Sequence, residues 1–413
     1  MVLADFDKYL KKYARLIAEM GVNAQLNHLV FLNVQIDQAR LAHLIVEELY
    51  SLGVAEVIVD YKDDVVDLAR YLHADEKRLT TVPDSYTQRL KEFVDLKVSR
   101  ISINSSDPAI FKSADSERIV KRLAAFNAAS FDYATAIQSN KMSWTVAAAA
   151  SYSWAAKVFP DLPTKEEQLD ALWEQIFKTT RIYEDDPVKA WQEHNEKLCK
   201  QAQKLNTAQF YALHYTAPGT DLTIGLPKNH YWEGAGATNA QGEFFIANMP
   251  TEEVFTAPDR NRVDGLISST KPLSYAGIIV SGMKFTFKDG KVVDFSAEQG
   301  QDVLEKLMAT DDGARYLGEV ALVPDPSPIS QSGITFFNTL FDENASNHLA
   351  LGQAYATSLV GGERMSQEEL KASGLNRSEI HVDFMVGSEQ MDIDGIKKDG
   401  THVPVFRGGD WAE

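Results

Sequence analysis

The apolar and polar positions of the first half of the chain fall into two alternating textures. Stretches 3–20, 37–51, 64–72, 86–92 and 115–138 carry apolar residues at three- and four-residue spacing, which predicts amphipathic helices. Between them lie short runs rich in β-branched residues: HLVFLNV (28–34), EVIVDY (56–61), LKVSRISIN (96–104) and SWTVAAA (143–149). Strands that alternate with helices require right-handed crossovers and a largely parallel sheet, so this half is expected to be a doubly wound α/β domain.

Past Pro160 the texture becomes charged and helical. DLPTKEEQLDALWEQIF opens on a capping signal, and DDPVKAWQEHNEKLCKQAQKLN continues at helical period. From about residue 206 the period shortens to two. YALHYTAPGTDLTIGL (211–226), GIIVSGMKFTFKDGKVVDFSAEQG (277–300) and HVDFMVG (381–387) alternate apolar and polar residues, with Asp289–Gly290 as a hairpin turn. The expected organisation is an α/β domain with a helical bridge over 1–205 and an α+β domain, dominated by antiparallel strands, over 206–413.

Composition narrows the function. A chain of 413 residues is long enough for two cores. The net charge of −18 is opposite to the basic footprint that binds phosphate backbones, so nucleic acid is not an expected partner. No stretch reaches the roughly 18 apolar residues of a membrane span, and the N-terminus reads as an amphipathic helix, so a cytoplasmic protein without membrane contact is expected. The one cysteine, Cys199, excludes an internal disulfide and a thiolate metal cluster, and it sits in a helical pattern with no visible base. GAGATNAQG (234–242) lacks the third glycine of a dinucleotide loop, and neither a Walker loop nor a G-x-S-x-G elbow occurs.

The chemistry concentrates beyond residue 250. In Ile380-His381-Val382-Asp383-Phe384 the alternation puts an imidazole and a carboxylate on one strand face, where they can meet one cation or two adjacent ones, or simply pair with each other. His348 and Tyr355 are seven residues apart, which places them on one face of a helix starting near Ser346, with Glu343 on the loop entering it. Glu319, in the strand-like run Tyr316-Leu317-Gly318-Glu319-Val320-Ala321-Leu322, needs a partner if buried: a cation, or an arginine such as Arg315. Glu253 adds another carboxylate.

Four segments, PTEEVFTAPD, YLGEVALV, NTLFDENASNHLALGQAY and EIHVDFMVG, resemble in order and spacing the signature blocks of the two-metal aminopeptidases that include aminopeptidases S, T and II. The resemblance runs along the whole chain. It implies that Glu253, Glu319, His348, His381 and Asp383 are metal ligands with Glu319 the bridge, that Glu343 and Tyr355 stand with them as further metal-site residues, and that Glu319, Glu343 and Tyr355 are the catalytic groups. It further implies two divalent ions per chain (zinc or cobalt, with manganese also suited to the donors), short peptide substrates and a homodimer. The residues alone leave the general base open between Glu319 and Glu343. They also leave open hydrolysis of another amide or ester, or a binding protein with a structural metal.

Overall fold

The computed structural model describes residues 3–105, 107, 109–275 and 278–412. Gly277, the first residue of the 277–300 run, lies outside them. Contacts divide the chain into two compact units, Met1–Lys197 with Ala235–Thr251, and Leu198–Gly234 with Glu252–Glu413.

The first unit is built on a parallel sheet. Its strands are β1 (Leu29–Gln35), β2 (Glu56–Lys62), β3 (Ser99–Asn104), β4 (Trp144–Ala148) and β5 (Asn248–Met249), in the order β2-β1-β3-β4-β5. All neighbours run parallel. The four expected strands and the helices between them form within a few residues of their predicted bounds, as Phe6–Leu16, Ala39–Ser51, Asp64–His73, Asp84–Asp95 and Ser116–Gln138. Residues 235–251 join this unit because β5 extends its sheet beside β4.

Both faces of the sheet are covered, which is why its strands read as nearly continuous apolar runs. Leu29 and Phe31 of β1 pack with Phe93, Tyr133 and Ile137 from two of the helices. Val30, Leu32 and Val34, of opposite parity, are buried on the other face. Helix starts follow the capping chemistry in the sequence. Asp63 accepts from Val65 N and Val66 N, Asp115 accepts from Glu117 N, and Thr164 with Glu167 forms a complete capping box before Lys165–Thr179.

In the second unit an antiparallel sheet of eight strands runs in the spatial order 291–296, 284–288, 263–268, 220–225, 212–217, 392–396, 402–407 and 410–411. Asp289 and Gly290 make the expected hairpin turn, both with positive φ (49° and 84°) as a type I′ turn requires. A Cβ on Gly290 would meet Arg260 O at 1.7 Å, so both the turn and the close approach demand glycine there.

A second antiparallel sheet carries the candidate site. It comprises β6 (Val254–Thr256), β7 (Leu317–Leu322), β8 (His348–Gly352) and β9 (His381–Met385), in that order. Every residue of β7 and β8 is buried.

The helix expected from Ser346 to Tyr355 does not form. His348–Gly352 is a strand hydrogen-bonded to β7 on one side and β9 on the other. The run His-Leu-Ala-Leu has good helix formers, but pairing on both edges and burial on both faces override that preference. Gly352 ends the strand at φ 105°, where a Cβ would strike Ile380 O at 2.1 Å.

Candidate metal centre

Register explains how dispersed residues meet. Residues directly opposite each other in an antiparallel pair project to the same face, as do residues two apart on one strand. Glu319 lies opposite Ala350, and Ala350 opposite Asp383. Ala321 lies opposite His348 on one side and Phe255 on the other. Glu319, His348, His381 and Asp383 therefore share one face of the sheet, and Glu253 enters it two residues before Phe255.

On that face the donor atoms fall into two overlapping groups, Glu253 with Glu319 and His348, and Glu319 with His381 and Asp383. Within each group the donor atoms lie within 4.8 Å of one another, close enough to hold a metal ion. His348 Nε2 is 3.0 Å from Glu253 Oε2 and 3.6 Å from Glu319 Oε1. His381 Nε2 is 3.5 Å from Glu319 Oε2 and 3.5 Å from Asp383 Oδ1. The two oxygens of Glu319 thus face different groups. Its alternative partner is excluded, because Arg315 lies over the Phe295 ring and donates to Met308 O.

Both imidazoles are held in one orientation by their second nitrogen. His348 Nδ1 is 2.9 Å from Glu343 O and 3.1 Å from Ser346 O, and His381 Nδ1 is 2.7 Å from Gln353 O. A carbonyl can only accept, so Nδ1 carries the proton in each ring and Nε2 is the nitrogen turned toward the carboxylates.

The electrostatics also call for cations. Glu253, Glu319, Glu343 and His348 are at most 8% exposed. Four carboxylates against two imidazoles leave a negative excess even with both rings protonated, and such a charge is costly to bury without a counter-ion. Asp383 Oδ1 is buried and accepts no hydrogen bond among the described residues.

The metal-free protein compensates by shifting protons. Burial lifts Glu319, with the His348 hydrogen bond opposing. Burial and the charges of Asp383 and Glu253 push Glu343 well above the usual carboxylate range. Burial opposes charging of His381, yet Asp383 and Glu319 hold it up at about 9. Burial likewise opposes His348, which Glu253 and Glu319 raise well above its usual value. Asp383 is drawn down by His381 against the effect of burial.

Glu343 starts the short turn Glu343–Ala345 and lies outside both three-residue groups, though it interacts electrostatically with Asp383, Glu253, His348 and Glu319. Tyr355 reaches the site from the segment after β8, not from a helix face. Its ring centroid is 5.0 Å from that of His381 and 5.8 Å from that of Phe255. Burial and the surrounding carboxylates raise its hydroxyl well above its usual value, so it stays a donor.

Sequence patterns alone did not show the supporting residues. Asn344 accepts from Glu252 N at 2.7 Å and donates to Leu340 O at 2.9 Å, tying the Glu253 segment to the turn that carries Glu343. Asn376 donates to Gly352 O at 2.6 Å, beside the Gln353 carbonyl that orients His381.

Comparison with known proteins accords with this arrangement. The family model described as thermophilic metalloprotease (M29) matches residues 6–411. The chain is 59% identical over 412 residues to aminopeptidase PepS of Streptococcus thermophilus, covering 100% of both chains. It is 49% identical over 407 residues to aminopeptidase AmpS of Bacillus subtilis, covering 98% of this chain and 99% of that one. The solved structure of wild-type AmpT from Thermus thermophilus superposes with a TM-score of 0.90 at 38% identity, covering 99% of this chain and 100% of that one. The family that the four sequence segments resembled is thus the family found, and the chain belongs to the thermophilic metalloprotease (M29) family.

Proposed function

We propose that the chain removes N-terminal residues from short peptides at a site for two divalent ions held by Glu253, Glu319, His348, His381 and Asp383, with Glu319 shared. It is a metalloaminopeptidase, a hydrolase, as its family and its aminopeptidase-named relatives support. The observation that carries the two-ion reading is the division of Glu319, whose two oxygens face two different donor groups.

Bound divalent ions, for which a donor set of carboxylates and imidazoles suits zinc, cobalt or manganese, would supply Lewis acidity and lower the pKa of a water toward neutrality. The chain's own residues do the rest. Nδ1 anchoring holds both imidazoles in one orientation. With Glu319 committed to both groups, Glu343 is assigned to accept the proton of the attacking water and return it to the leaving amine, a role that its raised affinity for protons suits. The Tyr355 hydroxyl, kept protonated, donates to the oxygen of the scissile carbonyl as charge develops there.

In this reading the first unit, with its parallel sheet covered on both faces, is a doubly wound scaffold, and the enzyme works in the cytoplasm as a homodimer. Among the described residues no helix is long and apolar enough to cross a membrane. The test uses protein stripped with a chelator and assayed on leucine and arginine p-nitroanilides, with and without cobalt or zinc, beside His381→Ala. Metal-restored release confined to the unsubstituted protein is the expected result. Two equivalents of bound metal without release from either substrate would move the reading to another amide or ester.

A further inference from the structure

Glu233 is a carboxylate that neither donor group uses. Its backbone pairs with Phe255 in an isolated antiparallel bridge, Glu233 N to Phe255 O at 2.9 Å and Phe255 N to Glu233 O at 3.0 Å. The row His348, Ala321, Phe255 is thereby extended by one place, and Glu233 projects to the face that carries the donor groups. It stands at the rim of that face. The residue as a whole is half-buried, but its Oε1 is buried and accepts no hydrogen bond among the described residues, while the Thr357 hydroxyl donates to the carboxylate. A buried carboxylate oxygen without a donor is costly, and such an atom beside a reaction centre points to a ligand.

An exopeptidase must recognise a free α-amine. That nitrogen is two bonds from the scissile carbonyl carbon, so a carboxylate that holds it must lie within reach of the donor groups. Glu233 meets this requirement: it is close enough for Glu319 to influence its charge, and Phe255 separates it from Ala321 in the row. The Phe255 and Tyr355 rings, 5.8 Å apart, give this side of the site apolar surface that strengthens an ion pair by keeping water away. We propose that Glu233 binds the protonated α-amine of the substrate's first residue and so selects for free N-termini. This inference rests on the aminopeptidase reading above. Burial, opposed by the Thr357 hydrogen bond, holds the free carboxyl at about 7, and a bound ammonium would draw it to its charged form.

The test is Glu233→Gln, with the metal-loaded full-length protein. Two inhibitors, leucine hydroxamate and 4-methylpentanohydroxamate, differ only in the amine. Calorimetry is expected to show that the unsubstituted protein prefers the aminated compound and that Glu233→Gln loses this preference. The kcat/KM for leucine and arginine p-nitroanilide should fall together by about 30- to 1,000-fold, as expected when one partner of a buried charge pair is neutralised. Metal content and melting temperature should stay as they were, and Thr357→Val should give a smaller loss of the same kind. An amine preference that survives in Glu233→Gln, a loss confined to the arginine substrate, or a loss of bound metal would each overturn the assignment. Failure of the aminopeptidase reading shows separately, as absence of metal-dependent release from the unsubstituted protein.

Discussion

The parallel sheet of the first unit and the four-stranded sheet of the second both have central strands buried on two faces, but they bury different things. In β1, β3 and β4 the buried side chains are apolar or uncharged, as with Val30, Leu32, Ile101, Ser102 and Thr145. In β7 and β8, among equally buried neighbours, stand Glu319 and His348. An apolar strand is satisfied by packing alone, each fully buried aliphatic side chain contributing about 1.5–3 kcal/mol. A strand with buried charge depends on something outside the chain or on redistributed protons. The first sheet is therefore complete as folded, whereas the second carries buried charge that redistributed protons or bound cations must offset.

Neutralising Glu319 should have the largest effect. Glu319→Gln keeps the shape of the strand and is expected to lower kcat/KM on the order of 1,000-fold or more, with weaker metal retention, checked by steady-state kinetics and metal analysis. Tyr355→Phe should lower kcat about 100-fold while metal content stays unchanged, since only a hydrogen-bond donor is removed. Loss of metal in that variant would instead make the hydroxyl a ligand.

Chelation should act on stability, with a definite pH dependence. A histidine whose pKa is raised from 6.5 to about 9 in the fold stabilises the metal-free protein fully below pH 6.5 and loses that contribution as pH rises through about 9. Raised carboxyls such as Glu319 and Glu343 act in the same direction. Metal affinity changes the other way, because metal and proton compete for Nε2. The melting-temperature gap between loaded and stripped protein should therefore widen from pH 6.5 to pH 9, and saturation at a thousand times Kd adds about 4 kcal/mol. A gap that narrowed over this range would contradict the charge assignment.

The smallest effect belongs to the first sheet. Ile101→Val removes one fully buried methylene and should cost about 0.5–1.5 kcal/mol in denaturant unfolding, leaving metal content and kcat as they were. A change in kcat would break the division of labour between the sheets.

Sequence made the first sheet legible because its strands are runs of β-branched and apolar residues separated by capped helices. The same reasoning misplaced Ser346–Tyr355. The helix-favouring His-Leu-Ala-Leu run carries no local mark of the two strands that clamp it, and spacing seven residues apart fits a helix face by coincidence. Alternation did place His381 and Asp383 on one strand face, and the exposed cost of an unpaired Glu319 did point to a partner. Other parts had no local signal. The carbonyls of Glu343, Ser346 and Gln353 that orient the imidazoles are backbone atoms common to every residue, and Glu233 comes to the face of the donor groups through a bridge to a residue 22 positions along the chain.

The bulge between Leu317 and Glu319 has a consequence for how such a chain can vary over generations. At this point two residues of β7 answer one of β8, and Gly318 passes so close to Gly352 and Gln353 that a Cβ would lie 2.4 Å from either carbonyl oxygen. A one-residue slip of Glu319–Leu322 against β8 would turn Val320 to the donor face and Glu319 away from it, since such a slip reverses every side chain. Side chains there can be exchanged one at a time, but the segment's length cannot drift. Descendants of this sequence are expected to tolerate insertions at the hairpin tips of the eight-stranded sheet long before they tolerate one here.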